Sequence, residues 1–120
     1  WSSDVCSSDL TGGGLFAESV LKALDIRTGK IAWQHPYASG GWGNAGPGLL
    51  TTAGKLLFTG DAVGNLIAFD PATGRILWHQ RLGAMVSNGP MTYMLDGKQY
   101  LLVGAGDTLF AFHLLQNREK

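Results

Sequence analysis

Between residues 49 and 80 short apolar runs alternate with turn-forming glycine, aspartate and proline, at the spacing of strands and not of helices. Residues 49–52 (Leu-Leu-Thr-Thr) read as an innermost strand, Ala53-Gly54 as a turn, 56–59 as a second strand and 60–65 as the next turn. Residues 66–69 then give a third strand, 70–74 a tight hairpin and 76–80 an outer strand, which predicts four antiparallel strands in one sheet. In the hairpin Asp70 can accept a hydrogen bond from the backbone ahead of it, Pro71 presets the turn angle and Gly74 can take a positive φ. The competing reading, a wound α/β domain, finds no support, because no stretch holds helical spacing for ten residues.

An internal repeat extends this pattern. Ala23-Leu-Asp-Ile-Arg-Thr-Gly-Lys-Ile-Ala-Trp33 returns 45 residues later as Ala68-Phe-Asp-Pro-Ala-Thr-Gly-Arg-Ile-Leu-Trp78, with six of eleven positions identical. A decayed third copy starts at Leu109-Phe-Ala-Phe-His113, where His113 replaces the aspartate. A period of about 40 to 50 residues built from short β-rich runs is the signature of a propeller blade.

Glycine, at 18 of 120 residues, is roughly twice its usual ~7% share and suits a protein of many turns. Nine Lys and Arg balance nine Asp and Glu, and only 15% of residues are charged. Long-range charge would draw neither nucleic acid nor an anionic membrane surface, so no nucleic-acid partner is expected. Apolar runs such as residues 100–105 fall far short of the ~18 residues of a membrane span, so no transmembrane segment is expected in this stretch. The single cysteine, Cys6, can close no internal disulfide. It sits in residues 1–10, which repeat Ser-Ser-Asp and show neither strand alternation nor the apolar core of a signal peptide. That stretch reads as a non-native, adapter-derived segment that should pack on nothing, a genuine flexible tail being the alternative.

Candidate chemistry within this sequence is sparse. His35, His79 and His113 occupy unrelated repeat positions, with no cysteine or second histidine at ligand spacing, so no metal site is expected. Residues 61–65 lack the alternating acidic ligands of a calcium loop and read as a hairpin turn. Asp25 and Asp70 read as turn residues, and Gly104-Ala-Gly106 lacks the third glycine and following helix of a dinucleotide fingerprint. No catalytic residue is expected in this stretch.

The repeated Ala-x-Asp-x-x-Thr-Gly-x-x-x-Trp resembles the tryptophan-docking motif of the eight-bladed quinoprotein propellers. The flanking Gly48-Leu-Leu-Thr-Thr-Ala-Gly-Lys-Leu-Leu-Phe-Thr-Gly60 and Gly89-Pro-Met-Thr-Tyr-Met-Leu-Asp-Gly-Lys-Gln-Tyr100 are similar to the C-terminal blades of dehydrogenases that use pyrroloquinoline quinone (PQQ). The resemblance covers residues 11 to about 115 and implies an all-β fold, the C-terminal blades of a quinoprotein-type β-propeller. On that basis residues 11–40 end a partial blade, 41–83 form a complete one, and 84–120 form a last, incomplete blade with the tail. Trp33 and Trp78 are then blade-to-blade packing residues, both mostly buried.

The same resemblance implies a parent that oxidises alcohols or sugars with PQQ and calcium and passes electrons to an acceptor such as cytochrome c or a quinone. A periplasmic location is implied too. Calcium would polarise the quinone, and an aspartate in an earlier blade would take the substrate's hydroxyl proton. In the family, cofactor contacts fall just ahead of the innermost strand, where Trp42 and Asn44 are the nearest matches, each shifted by one or more positions. Methanol-type enzymes also carry a tryptophan in a longer loop at the place of residues 104–108, and this sequence has none there. Weak PQQ binding is therefore expected, with Trp42 able to compensate. The alternative is a non-catalytic propeller acting as a binding or scaffold module, like the outer-membrane assembly lipoprotein with the same docking repeat. A WD-type scaffold is excluded because no Trp-Asp dipeptide ends a blade.

Overall fold

A computed structural model describes residues 5–7, 19–37 and 47–114. Among those residues every regular element is a β-strand, and the strands form three antiparallel sheets in sequence order. The first sheet holds β1 (Val5–Ser7), β2 (Val20–Leu24) and β3 (Ile31–Pro36). The second holds β4 (Leu49–Thr51), β5 (Leu57–Gly60), β6 (Asn65–Phe69) and β7 (Ile76–Arg81), and the third β8 (Met91–Leu95), β9 (Lys98–Ala105) and β10 (Thr108–His113). The four strands expected within residues 49–80 are all present, each boundary within one residue of its expected place.

The β2–β3 and β6–β7 hairpins are alike down to single bonds. The carboxylate of Asp25 accepts the Arg27 amide at 2.8 Å and that of Asp70 accepts the Ala72 amide at 2.9 Å. Gly29 and Gly74 take φ of 68° and 73° and donate back to the Asp25 and Asp70 carbonyls at 2.7 and 2.8 Å. The Ala72 amide, then the Thr73 hydroxyl, hold the Asp70 carboxyl below its usual pKa. That contribution is present above the ordinary carboxylate pKa and is lost as pH falls through the lowered one. Past each turn the register slips by one residue: Ala23 opposes Trp33 but Leu24 opposes Ile31, and Ala68 opposes Trp78 but Phe69 opposes Ile76. The extra residues, Ala32 and Leu77, are bulges, and they set each tryptophan opposite the alanine of its repeat.

The sheets stack face to face. β6 is buried on both sides: Leu66 packs with Val86, Leu101, Val103 and Ala105, while Ile67 and Phe69 pack with Leu21 and Leu57. The flanking sheets alternate instead, burying Leu21 and Ala23 on β2 and Leu101, Val103 and Ala105 on β9. Trp33 crosses from the first sheet to the second. Its Nε1 donates to the Pro71 carbonyl at 2.8 Å, and its ring stacks on Phe69 at 6.2 Å between centroids and 17° between planes. A Cβ on Gly74 would sit 2.6 Å from the indole Cδ2, so only glycine gives the ring its floor.

Trp78 departs from expectation. It also faces the next sheet, meeting Phe112 edge-on at 5.8 Å and 75°, yet it is 41% exposed where the repeat implies that it is mostly buried. The reason lies in the third repeat. Where the second sheet has Asp70 and its turn, the third has His113, so among the described residues no counterpart of Pro71 or Gly74 receives the indole. Residues 1–10 require a second correction. Val5–Ser7 do not stand apart but pair antiparallel with β2, Val5 opposite Ala23 and Ser7 opposite Leu21. An open strand edge offers a ladder of backbone donors and acceptors that takes any extended segment, whatever its pattern of side chains.

The outward face and rim of the third sheet leave Leu109 67% and Leu95 53% exposed, with Met91 and Met94 also bare. Residues 11–120 produced alone are therefore expected to be oligomeric or insoluble. Light scattering with calorimetry checks this, and a monomer with one cooperative unfolding transition would contradict it.

Candidate functional site

At one end of the stack the leads into the innermost strands meet the turns between second and third strands. The Leu82 amide donates to the Gly64 carbonyl at 2.7 Å, Val86 to Asp61 at 3.3 Å and Gly106 to Met85 at 3.1 Å, which ties both turns to the 82–90 connection. The two leads touch directly. A Cβ on Gly48 would lie 2.6 Å from the Gly89 nitrogen, so the backbones meet with no side chain between them.

Tyr37 and Thr59 join the first sheet to the second at this end. The Tyr37 hydroxyl and the fully buried Thr59 hydroxyl lie 3.1 Å apart, and Thr59 also reaches the carbonyls of Gly60 at 3.3 Å and Gly48 at 3.4 Å. Burial is the main cause that raises the Tyr37 phenol above the ordinary value of 10, with the Asp61 charge adding and the Thr59 hydrogen bond opposing. A raised phenol pKa contributes stability that is complete below the ordinary value and is lost as pH rises through the raised one. Tyr37→Phe is therefore expected to flatten the alkaline limb of stability against pH, read by thermal unfolding across a pH series. An unchanged limb would place the titrating group elsewhere.

Asp61 is the buried acid of this end, 3% exposed. One carboxylate oxygen accepts the amides of Val63 at 3.1 Å and Asn65 at 2.7 Å, and the other accepts the Asn65 side-chain amide at 2.7 Å. Its oxygens are spent on the turn, as the reading of residues 61–65 as a hairpin requires. Neither it nor any other acid, histidine or cysteine joins a group of three suited to a metal ion among the described residues. The three histidines lie on three sheets: His35 on β3, His79 on β7 and His113 on β10. His35 meets Phe69 edge-on at 4.9 Å, and burial lowers its pKa.

Trp42 and Asn44 lie outside the described residues. The backbone leaves the described region after Tyr37 and re-enters at Pro47, both at this end of the stack. Residues 105–108 form a tight β9–β10 connection with no aromatic, and Gly106, at φ 59°, packs so closely that a Cβ would fall 2.9 Å from that of Ala84. Sequence reasoning found these segments but missed Tyr37 and Thr59. A contact between residues 22 positions apart leaves no mark in a local pattern.

Residues 19–101 match the family described as "PQQ: Glucose/ethanol/alcohol dehydrogenase, beta-propeller domain". The protein belongs to this family. Its antiparallel sheets are those of a PQQ β-propeller domain, and Trp33 docks the first onto the second. Quinoprotein alcohol dehydrogenase PedH of Pseudomonas putida is 41% identical over 87 residues, covering 72% of this sequence and 14% of its own length. The crystal structure of quinohemoprotein alcohol dehydrogenase from Comamonas testosteroni superposes with a TM-score of 0.66 at 40% identity, over 74% of this protein and 13% of that one. BamB from Moraxella catarrhalis superposes with a TM-score of 0.57 at 24% identity, over 82% and 30%, and shares the fold alone. This PQQ-propeller protein thus spans about a seventh of the length of its curated relatives. No helix among its described residues is long and apolar enough to cross a membrane.

Proposed function

We propose that these residues are the C-terminal part of a PQQ-dependent quinoprotein dehydrogenase that oxidises alcohols or sugars. The observation that carries this is the 41% identity over 87 residues to a protein named a quinoprotein alcohol dehydrogenase, and that name favours alcohols. In this reading residues 11–40 end one blade, 41–83 make a whole blade and 84–120 the last, and residues 1–10 are foreign to the parent. The parent acts in the periplasm and hands electrons to cytochrome c or a quinone.

When bound, PQQ supplies the acceptor for the pair of electrons leaving the substrate. The described residues do not by themselves fit PQQ or calcium: they offer no group of donors for the cation and no aromatic wall in the 105–108 turn. What they do is join the sheets at one end of the stack, through the Gly48–Gly89 contact and the Tyr37–Thr59 bridge. Cofactor contact from this stretch is assigned to Trp42 and Asn44. The short 105–108 turn favours one second reading, a propeller of the same repeat that binds a partner and catalyses nothing.

Titration of PQQ with calcium into the full-length protein, followed by tryptophan fluorescence and by dye-linked oxidation of a primary alcohol, tests both. The expected result is weak binding with turnover. An aromatic face is worth roughly 0.5 to 1.5 kcal/mol beyond its area, so Trp42→Ala is expected to weaken binding up to about tenfold. Tight binding indifferent to Trp42→Ala would remove Trp42 from the site, and absence of both binding and turnover would establish the non-catalytic propeller.

A further inference from the structure

We infer that Asn88–Gly89, in the lead into β8, is a site of spontaneous succinimide formation, and so a place where the protein ages chemically. Three observations carry this. Asn88 and Gly89 are both exposed, and among the described residues neither the Asn88 carboxamide nor the Gly89 amide has a hydrogen-bond partner. Gly89 has no Cβ to shield its own nitrogen. The residue packed against that nitrogen is also glycine, a Cβ at Gly48 standing 2.6 Å from it, so its neighbour on that side is backbone with no side chain.

The step balances without any co-reactant but water. The Gly89 amide nitrogen loses its proton and attacks Cγ of Asn88. The new N–C bond closes a five-membered imide as the bond from Cγ to Nδ2 breaks, and the leaving amine takes a proton to depart as ammonia. Water then opens either imide carbonyl, leaving aspartate or, with the backbone rerouted through Cβ and Cγ, isoaspartate at position 88. Either product adds a negative charge, and the second lengthens the backbone by one methylene where the leads into β4 and β8 touch.

Asn65 is the internal control. Its carboxamide is held by Asp61 at 2.7 Å, its own amide by the same carboxylate at 2.7 Å, and the next residue, Leu66, lies within β6. Its Cγ is fixed and the nitrogen that would attack it belongs to a paired strand.

The test is incubation of the folded full-length protein in mildly alkaline buffer, then trypsin digestion and mass spectrometry. Residues 82–98 and 56–75 are released as separate peptides containing Asn88 and Asn65 respectively as their one asparagine. The expected result is a progressive amide-to-acid mass gain in the 82–98 peptide, with isoaspartate detected by methyltransferase labelling, and none in the 56–75 peptide. Isomerisation at Asp96–Gly97 within the same peptide changes no mass but also yields isoaspartate, so the label is scored on the mass-shifted peptide and placed at residue 88 by fragmentation. Gly89→Ala, whose Cβ would meet only the Gly48 backbone at an ordinary 3.4 Å, is expected to slow the gain several-fold. An 82–98 peptide that keeps its mass, gains it no faster than the Asn65 peptide, or gains it equally in Gly89→Ala overturns the inference.

Discussion

Trp33→Ala is expected to be the most damaging single substitution at the blade junctions, lowering stability of the full-length protein by about 3 to 5 kcal/mol. The side chain is held three ways: its ring lies on Phe69 at 6.2 Å, its Nε1 donates to the Pro71 carbonyl at 2.8 Å, and its indole fills the space left by Gly74. Removal empties the junction between two sheets and strips the Pro71 carbonyl of its donor. Trp78→Ala should cost no more than about half as much, because that ring is 41% exposed and its ring contact among the described residues is the edge of Phe112. Trp33→Phe separates the contributions, keeping an aromatic on Phe69 and losing the hydrogen bond, for about 1 kcal/mol. Urea unfolding with a common slope across the three variants measures this. A Trp78→Ala variant as unstable as Trp33→Ala would show that the second tryptophan is covered as fully as the first.

The unequal tryptophans also show what a sequence can announce. The docking hairpins are legible because their chemistry is local: Asp25 and Asp70 cap amides two residues on, and Gly29 and Gly74 supply the positive φ. The strands of the second sheet are legible because β6 must be apolar on both faces. The bulges at Ala32 and Leu77 are not, since an extra residue on an exposed outer strand changes no burial pattern. The exposure of Trp78 is hidden because its Trp-bearing motif is intact and the defect lies 35 residues later, in His113. Pairing of Val5–Ser7 leaves no signal because backbone hydrogen bonding needs no particular side chain. At the site end the glycine-rich leads are visible as composition, but the meeting of Gly48 with Gly89 and of Tyr37 with Thr59 is made by stacking separate sheets.

That end of the stack depends on one buried acid, and Asp61→Ala is expected to cost about 3 kcal/mol or more, summed over the donors it leaves unmet. The carboxylate, itself 3% exposed, gathers the amides of Val63 and Asn65 at 3.1 and 2.7 Å and the Asn65 side chain at 2.7 Å. The turn it closes also supplies the Asp61 carbonyl to Val86 and the Gly64 carbonyl to Leu82, so loosening it detaches the lead into the third sheet as well. Asp61→Asn keeps one acceptor oxygen and should retain most of the stability. It still removes the charge, and that gives a separate readout. The Asp61 charge is one of the causes holding the Tyr37 phenol high, so in Asp61→Asn that phenol should titrate at lower pH, followed by tyrosinate absorbance against a Tyr37→Phe blank. Because the polar contact then survives while the field does not, stability near that of the parent protein combined with a lowered Tyr37 titration is the outcome that assigns both roles to Asp61. A fully stable Asp61→Ala, or a Tyr37 titration unmoved by Asp61→Asn, would contradict one role or the other.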